Sequence, residues 1–294
     1  MINREYKDRL FSFIFGREEN REWTLSLYNA VNGSSYPDPA EIEFNTIDSI
    51  LYLGMHNDLS FIIRYDMNLY AHQSTFNPNM PLRELMYLGQ LYSKYVTQNK
   101  LNIYGRTRVR IPMPKIMVFY NGKEDADDET ILELKDSFYE GADASKSDVA
   151  VRVRMLNIHS DRNRAIMERC RPLYEYAAFT DNVYKYRESM EIESAVNQAL
   201  DEMPDDWLIK GFLSANRAEV VEMCLTEYNE EETMEMFKEE GRKEGRAEGR
   251  DEGVQAVVKT CKTLGASSHD AAENLISTMG YSENEANELV AKYW

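Results

Sequence analysis

The segment from Asn57 to Arg83 constrains the fold of this chain more than any other part of it. Within this segment, the apolar run Leu59–Ile63 is followed by a polar turn and then by a second run from Asn68 to Thr75. Short runs of β-branched and aromatic residues bounded by polar turn residues are typical of neighbouring strands. The sequence therefore predicts a β-hairpin over residues 59–75, with Asp58 directly before its first strand.

Three further segments are predicted to extend this hairpin into a sheet. The continuous apolar run from Lys115 to Tyr120 predicts a central strand that is buried on both faces. Residues 149–158 alternate apolar side chains with arginines, which is typical of a strand. Ile47 to Met55 predicts a first strand, or a passage from helix to strand, and the acidic stretch from Glu124 to Glu129 predicts an exposed loop.

Apolar residues at helical spacing predict helices on both sides of these strands. The helices cover residues 5–32, with a break at Gly16, then Leu82 to Gln98, and then residues 162–229. The order of helix, three strands, helix, two strands and helices predicts a mixed α/β fold. The apolar face of the middle helix and the core positions of the last region are predicted to include Leu85, Leu88, Leu91, Tyr92, Tyr95, Leu200, Leu208, Phe212, Val220 and Leu225.

Two short turns and one repeat punctuate the chain. Asn32-Gly33 and Asn121-Gly122 predict turns in which glycine adopts a positive φ. Residues 239–253 repeat with a period of four, and both a flexible charged tether and a helix with a glycine stripe explain that pattern. Helical residues on either side of the repeat favour the helix, although each glycine costs about 1 kcal/mol relative to alanine there. The stripe consists of Gly241, Gly245, Gly249 and Gly253.

The C-terminal tail predicts a small pair of helices. Ser267 or Ser268 is suited to cap the first helix, Gly280 to end it, and Ser282 with Glu285 to form a capping box for the second. A segment this short buries little surface alone. We therefore predict a domain over residues 1–230, a charged glycine-repeat helix or linker over 231–264, and a helical oligomerisation or partner module over 265–294, with a homodimer as the expected assembly.

Composition limits the function classes. The formal charge of −17 argues against a protein that coats nucleic acid. The three cysteines are widely spaced and the four histidines form no metal-ligand pair, so disulfides and zinc are not expected. We also expect no signal peptide and no membrane span, because no long apolar run occurs, and hence a cytoplasmic protein.

Positive charge is concentrated in two regions of this acidic chain. Between Glu84 and Glu124 the charged residues are all basic, and a weaker basic region covers residues 152–171. Either region is explained by a solvated face paired with acids from elsewhere, or by a groove that faces DNA. The first region contains Lys94, Lys100, Arg106, Arg108, Arg110, Lys115 and Lys123.

The predicted hairpin and the residues after it resemble the core of the PD-(D/E)xK nuclease superfamily. The resemblance is carried by Asp58, by the segment from Ala71 to Thr75, and by Asn77 to Pro81 with Arg83. The most similar branch is the bacterial recombination-promoting nuclease and putative transposase family, whose members carry Glu where this chain has Ala71. The resemblance implies an αβββαβ core and a Mg²⁺- or Mn²⁺-dependent DNA endonuclease that acts in mobile-element recombination or phage defence.

The resemblance also implies a role for each residue of the motif. Asp58 is the first carboxylate of a metal site, position 71 is the second, and His72 supplies a backbone carbonyl oxygen. Mg²⁺ prefers such oxygen ligands. Gln73 takes the place usually held by Lys, and Asp8 or Glu22 would assist from the first helix. The candidate DNA-binding residues are Arg83, Arg106, Arg108, Arg110 and Lys115.

Ala71 removes one metal ligand from this implied site, so the chain is predicted to be inactive as written. A deliberate replacement of Glu and a natural loss of activity both explain the alanine, and the intact neighbours favour a deliberate replacement. The alternative function is a non-catalytic DNA-binding or oligomeric scaffold that regulates active copies.

Overall fold

A computed structural model of the chain describes residues 10–45, 59–122, 124 and 126–294, with the side chains of residues 227–248 described only at 242, 245 and 246. The chain divides into two compact units, residues 1–229 and residues 230–294. The fold is mixed α/β, with one six-stranded sheet, surrounding helices and a helical C-terminal region. No described helix is both long enough and apolar enough to cross a membrane.

The sheet of the first unit is mixed, with parallel strands at its centre. The pairs β3–β4 and β4–β6 are parallel, and the other pairs are antiparallel. In space the order is β1-β2-β3-β4-β6-β5. The strands are β1 (Ile42–Phe44), β2 (Leu59–Ile63), β3 (Asp66–Gln73), β4 (Met113–Tyr120), β5 (Glu129–Glu133) and β6 (Arg152–Asn157).

The predicted hairpin is confirmed as β2 and β3. Leu59 pairs with Tyr70 and Ile63 pairs with Asp66, and the turn between the strands places Arg64 at a φ of 52°. The central strand predicted from Lys115 begins two residues earlier, and the strand predicted over residues 149–158 is shorter at each end. The strand predicted over residues 47–55 lies outside the described residues.

Two of the observed strands, β1 and β5, were not predicted from the sequence. The acidic stretch ends as β5, because its carboxylates face the arginines of β6: Arg154 Nε lies 2.8 Å from Glu129 and Arg152 Nε lies 2.9 Å from Glu133. Glu133 lies directly across from Arg152, and Glu129 lies diagonally from Arg154; such opposite-charge pairs between neighbouring strands stabilise the pairing. Glu129 was therefore wrongly predicted to belong to a loop.

Helices pack on both faces of the sheet. One face, carrying Tyr70 and Phe119, is covered by an aromatic core from the helices before β1 and after β6. The other face, carrying Leu69 and Ala71, is covered by α3, which starts at Met80 with Pro81 in its first turn. The first-unit helices are α1 (Leu10–Phe15), α2 (Arg21–Asn32), α3 (Met80–Gln98), α4 (Arg164–Arg169), α5 (Arg171–Arg187), α6 (Ile192–Asp201) and α7 (Lys210–Ala215), followed by α8 (Arg217–Thr263), which continues into the second unit.

Two predicted core positions need correction. Leu208 is 49% exposed, whereas Ile209 beside it is fully buried. On α3, Leu85 is only partly buried, whereas the predicted positions Leu88 and Leu91 are buried. Glu84 and Tyr87 complete the buried face. Periodicity therefore predicted the helix and most of its apolar face correctly, with Leu85 as the exception.

The second unit has a hydrophobic core of its own. The last turns of α8 pack with α9 (Ser268–Met279) and α10 (Glu283–Tyr293) around a cluster that includes Val254, Leu275 and Val290. The capping box of α10 is confirmed, Ser267 is the cap of α9, and Gly280 ends α9 at a φ of 71°. The glycine repeat over residues 239–253 is helical, which confirms the predicted helix and not the flexible tether.

Candidate functional site

Ala71 lies near the end of β3, and its side chain is buried against apolar neighbours. Because side chains alternate along a strand, Ala71 and Gln73 share the face that α3 covers. Ala71 is 1% exposed. The surrounding side chains are Met80, Val118, Tyr120, Val153 and Met155.

Gln73 is held between α3 and the residue that follows the strand. The orientation of its amide that satisfies both neighbours donates from Nε2 to the Thr75 carbonyl oxygen at 3.3 Å and accepts from Arg83 Nη1 at 3.0 Å. The reverse orientation would direct the amide nitrogen at Met80 Sδ, 2.9 Å away. We adopt the first, since a guanidinium and a carbonyl are stronger partners than a thioether.

The segment after β3 explains why Arg83 reaches this amide. The Asn77 side chain accepts from the backbone N–H of Asn79 at 2.9 Å, which forms a tight turn. The Asn79 carbonyl then accepts from Arg83 N at 3.1 Å and starts α3. Arg83 therefore contacts the candidate site itself, in the first turn of the helix that covers it.

His72 points to the opposite face of the sheet. Its ring stacks on Phe11 at a centroid distance of 5.6 Å, and its Nε2 lies 3.0 Å from the Tyr176 hydroxyl. The imidazole is 1% exposed, so its side chain belongs to the aromatic core. Any role in a site at position 71 is left to its backbone, as the resemblance implies.

The described residues do not complete a metal site at Ala71. Asp58 lies outside them, although the next residue, Leu59, pairs with Tyr70 beside Ala71. Across the described ranges, no group of three or more His, Cys, Asp or Glu side chains is placed to hold a metal ion. Among the described residues, the apolar cluster that contains Ala71 offers no carboxylate oxygen to Mg²⁺.

Glu84 is a buried carboxylate that was not predicted from the sequence. It is 1% exposed and lies one turn after Met80 on the inner face of α3, on the same side of the sheet as Ala71 and Gln73. Its position four residues after Met80 and four before Leu88 was the available signal, because all three fall on one helical stripe. Glu84 is therefore a buried carboxylate on the helix that covers the face of Ala71.

The two candidates on the first helix are not brought to Ala71. Asp8 lies outside the described residues. Glu22 belongs to α2, which packs into the aromatic core, and it lines a groove of about 550 Å³. Ser34 and Arg169 line the same groove, and the Arg169 guanidinium donates to the Ser34 carbonyl at 2.7 Å.

Three of the predicted DNA-binding arginines lie in the loop that enters the sheet at the opposite end of β3 and β4 from Gln73. Arg106, Arg108 and Arg110 are exposed in the loop between α3 and β4. That loop enters the sheet at Met113, which pairs with Asp66, whereas Gln73 pairs with Tyr120 at the far end. They therefore do not share the surroundings of Ala71.

Lys115 lies in a polar network on the opposite face from Ala71. Its Nζ is 2.9 Å from Asp66 Oδ2 and 3.1 Å from Asn32 Oδ1, and the Tyr28 hydroxyl donates to Asp66 at 2.7 Å. Burial, followed by the hydrogen bond to Asp66, raises the pKa of the Tyr28 hydroxyl well above its usual range. Asn32 also donates to the Tyr70 hydroxyl at 3.2 Å. The network gives Lys115 a structural partner.

The second basic region is paired with acids. In addition to the two β5–β6 pairs, Arg164 Nε lies 2.8 Å from Glu168 and Arg171 Nε lies 2.7 Å from Glu175. The hydrogen bond to Arg154 holds the pKa of the Glu129 carboxyl below its usual range. For this region the solvated, paired face is the interpretation that the contacts favour.

A histidine and an aspartate close the end of the sheet beyond Gln73. His159 Nδ1 lies 2.8 Å from Asp181 Oδ1, and its Nε2 lies 2.9 Å from the Gly122 carbonyl oxygen. The hydrogen bond to Asp181 raises the pKa of His159, against the effect of burial. Neighbouring Asn121 donates its N–H to the Gln73 carbonyl at 3.1 Å. No local pattern indicated this pair, because its members lie 22 residues apart in the chain.

The two predicted Asn-Gly turns differ in their physical reason. Gly33 ends α2 at a φ of 66°, as predicted. Gly122 has no positive φ; a side chain there would instead collide with the Ser74 carbonyl oxygen and the Tyr120 ring. Glycine at 122 is therefore required by close packing beside the candidate site.

Comparisons with protein-family models, with curated proteins and with solved structures give no match to this chain.

Proposed function

We propose that this chain is a DNA endonuclease of the PD-(D/E)xK type, from the recombination-promoting branch, whose cleavage site is incomplete because of Ala71. The observation that supports this best is the β2–β3 hairpin: Ala71 and Gln73 share one face, with Arg83 bonded to the Gln73 amide. The order of helix, three strands, helix and strand along the first unit agrees with the αβββαβ scaffold.

The proposed chemistry requires a carboxylate at position 71. A bound Mg²⁺ or Mn²⁺ polarises the phosphate and lowers the pKa of the attacking water. Glutamate at position 71 would place its carboxylate on the face that carries Gln73, and Asp58 would supply the other. Arg83 and Thr75 fix the Gln73 amide, which in this proposal orients the reacting groups. Without the glutamate we expect no cleavage.

A plasmid-nicking assay tests this proposal. Ala71→Glu should nick DNA with Mg²⁺ or Mn²⁺, and EDTA should abolish the activity. Ala71→Gln is the matched control, since it fills the same pocket with a side chain of equal size and no charge. Circular dichroism checks that both variants fold. Chelator-sensitive cleavage by the parent chain would disprove the role of position 71, and a folded but inactive Ala71→Glu would disprove the nuclease proposal.

A second candidate is a non-catalytic DNA-binding scaffold that regulates active copies. It is favoured by the pocket around Ala71, which apolar side chains fill. The natural codon at position 71 discriminates between the two candidates: Glu supports the nuclease, whereas Ala supports the scaffold. For the scaffold, DNA binding without cleavage should persist in every variant at position 71.

We also propose a homodimer. The apolar side chains at the end of the chain do not require one. Val290 is buried within the second unit, and Leu289 and Tyr293 pack on the same cluster, so these groups need no second chain. Gly253 is already covered, since a Cβ there would lie 3.2 Å from Met279 Cε, but Gly245 and Gly249 face open space. Light scattering on the full chain and on a chain ending at Tyr228 tests the dimer, and two monomers would disprove it.

A further inference from the structure

The loop between α3 and β4 carries positive charge that no described acidic residue neutralises. This basic loop, residues 99–112, contains Lys100, Arg106, Arg108 and Arg110, all exposed. None of the four forms an ion pair with any residue that the structure describes. Several arginines elsewhere in this acidic chain are paired with acids, as Arg164 is with Glu168. The basic loop therefore presents its cations to solvent.

Aromatic and apolar side chains are exposed in the basic loop and in the β2–β3 turn that its end contacts. Tyr104, within the basic loop, is 94% exposed, and Tyr65, in the β2–β3 turn, is 85% exposed. Met113 links the two segments, since its N–H donates to the Tyr65 carbonyl at 2.6 Å. Ile103, Ile111 and Met113 are each about half exposed. Large apolar groups grouped on a surface indicate an interaction site.

Local hydrogen bonds fix the backbone of the basic loop. The Asn102 side chain accepts from Tyr104 N at 3.1 Å, and the Asn102 carbonyl accepts from Gly105 N at 3.3 Å. At the other end of the loop, the Tyr92 hydroxyl donates to the Pro112 carbonyl at 2.8 Å. Because these hydrogen bonds form the turn before any partner binds, the ordering cost on binding is limited mainly to the side chains.

We infer that the basic loop, together with Tyr65, binds single-stranded nucleic acid. Guanidinium groups neutralise phosphates in any nucleic acid, but only a single strand exposes base faces on which tyrosine rings can stack. A cationic groove with interleaved aromatic rings is how single strands are bound without sequence preference. The chemistry therefore selects unpaired bases over a duplex.

The inference rests on the proposed nucleic-acid function, but not on cleavage. The basic loop meets the sheet where Met113 pairs with Asp66, and the candidate cleavage site lies at the opposite end of the same strands. Binding by the loop should therefore be present in the chain with Ala71. It should also need no divalent metal.

Fluorescence anisotropy on the full chain, without divalent metal, tests the inference. The probes are a labelled oligothymidine of about 16 nucleotides, within the range that single-strand sites cover, and a duplex of equal length. We expect tighter binding of the single strand. Tyr104→Ala should weaken that binding about tenfold, and Tyr65→Ala by a smaller factor, while Tyr104→Phe retains it because the ring persists.

Tyr139→Ala is the matched control, because Tyr139 is 95% exposed in an acidic part of the surface. It should leave binding unchanged. Equal effects of Tyr104→Ala and Tyr139→Ala, or equal binding of single strand and duplex, would overturn the stacking site while leaving the proposed nuclease intact. Absence of binding to both probes would overturn the inference, whereas loss of cleavage in Ala71→Glu with single-strand binding retained would overturn only the nuclease.

Discussion

The two ends of the parallel strands β3 and β4 adjoin different surroundings. At the Gln73–Tyr120 end, side chains on the α3 face are buried and apolar around Ala71. At the Asp66–Met113 end, the neighbouring groups are charged and exposed. Seven residue steps separate the ends, or about 23 Å along a strand. If both proposals hold, the proposed cleavage site and the proposed binding surface should be independent, so that each can be altered separately.

The cause of the difference lies in the chain segment that adjoins each end. The turn after β3 begins α3 immediately, so Met80 packs with Ala71. Farther along the helix, Tyr87 and Leu91 pack with Met67, so the α3 face is buried toward the other end as well. That end, however, adjoins the basic loop, whose charged side chains are exposed. The ends therefore differ in the exposed charge of the adjoining loop.

The largest expected effect concerns the buried end. In the Ala71→Glu background, Asp58→Ala should reduce cleavage by a factor of about 1000 or more, because a charge that polarises the phosphate is lost. The measurement is metal-dependent plasmid nicking, with the thermal unfolding midpoint as a check on folding. Asp66→Ala in the same background is the control at the other end. Near-full turnover by Asp58→Ala would place the hydrolytic site elsewhere.

A second prediction concerns the exposed end. Replacing Arg106, Arg108 and Arg110 with Gln should weaken nucleic-acid binding about 100-fold at low salt. It should also reduce the log–log salt slope by about 0.7 to 0.9 for each phosphate that is no longer neutralised. Turnover of Ala71→Glu at saturating DNA should not change. Arg164→Gln, which removes an ion-paired charge, is the control, and an unchanged salt slope in the triple variant would assign these arginines to a solvated face.

The central strands could be predicted because their residues carry a simple pattern. The hairpin and β4 are apolar runs between turn residues, and tertiary packing agrees with that pattern. β5 could not be predicted, because Glu129 ends an acidic stretch that is typical of a loop, and only the pairing with β6 brings Arg154 to Glu129 and Arg152 to Glu133. Its stability comes from a partner that lies about 20 residues later in the chain.

The candidate site was predicted only in part, for a similar reason. Motif residues close in sequence, such as Ala71 and Gln73, could be assigned to one face from strand alternation alone. Glu84 and the His159–Asp181 pair depend on which helix covers which face, and no local pattern encodes that. Lys115 was predicted to bind DNA from its charge, whereas its contact with Asp66 gives it a structural role as well.

Lys115 offers a third test, at the exposed end. Lys115→Met should lower the free energy of unfolding by about 2 kcal/mol, because the mostly buried Asp66 carboxylate loses a charged partner. Urea denaturation measures this change. Lys146→Met is the matched control, since that side chain is 81% exposed and pairs with Asp143 at the surface, where ion pairs contribute little. Equal stability with weakened DNA binding would support the DNA role of Lys115 instead.

The smallest predicted effect concerns the His159–Asp181 pair, which lies beyond Gln73. Both ring nitrogens of His159 face oxygen acceptors, so both donate only when the imidazole is protonated. The folded state raises the pKa of His159, with Asp181 as the main cause and Asp161 adding to it. The stabilisation is therefore complete below the unfolded pKa of about 6.5, and it is lost as pH rises through the higher folded value.

Asp181 sets the other limit of this stabilisation. Burial alone would raise its pKa, but hydrogen bonds from His159 and Ser160 outweigh burial and hold it below the usual value. Its contribution is present above the unfolded pKa of about 3.9, and is lost as pH falls through the folded value. The pair is therefore most stabilising in the acidic range between these two limits.

His159→Gln should remove the stability change that occurs at the alkaline limit, at a cost of about 1.5 kcal/mol below it. Urea denaturation at about pH 6 and about pH 8.5, on either side of the usual histidine pKa, measures the difference. His269→Gln is the matched control, because His269 is 79% exposed and should leave the pH dependence unchanged. If the Gln73–Tyr120 end of the strands depends on the His159–Asp181 pair, raising the pH should also increase hydrogen exchange at the backbone N–H of Asn121, which donates to the Gln73 carbonyl. An identical pH dependence in the parent and in His159→Gln would mean that the Gly122 turn is held by packing alone.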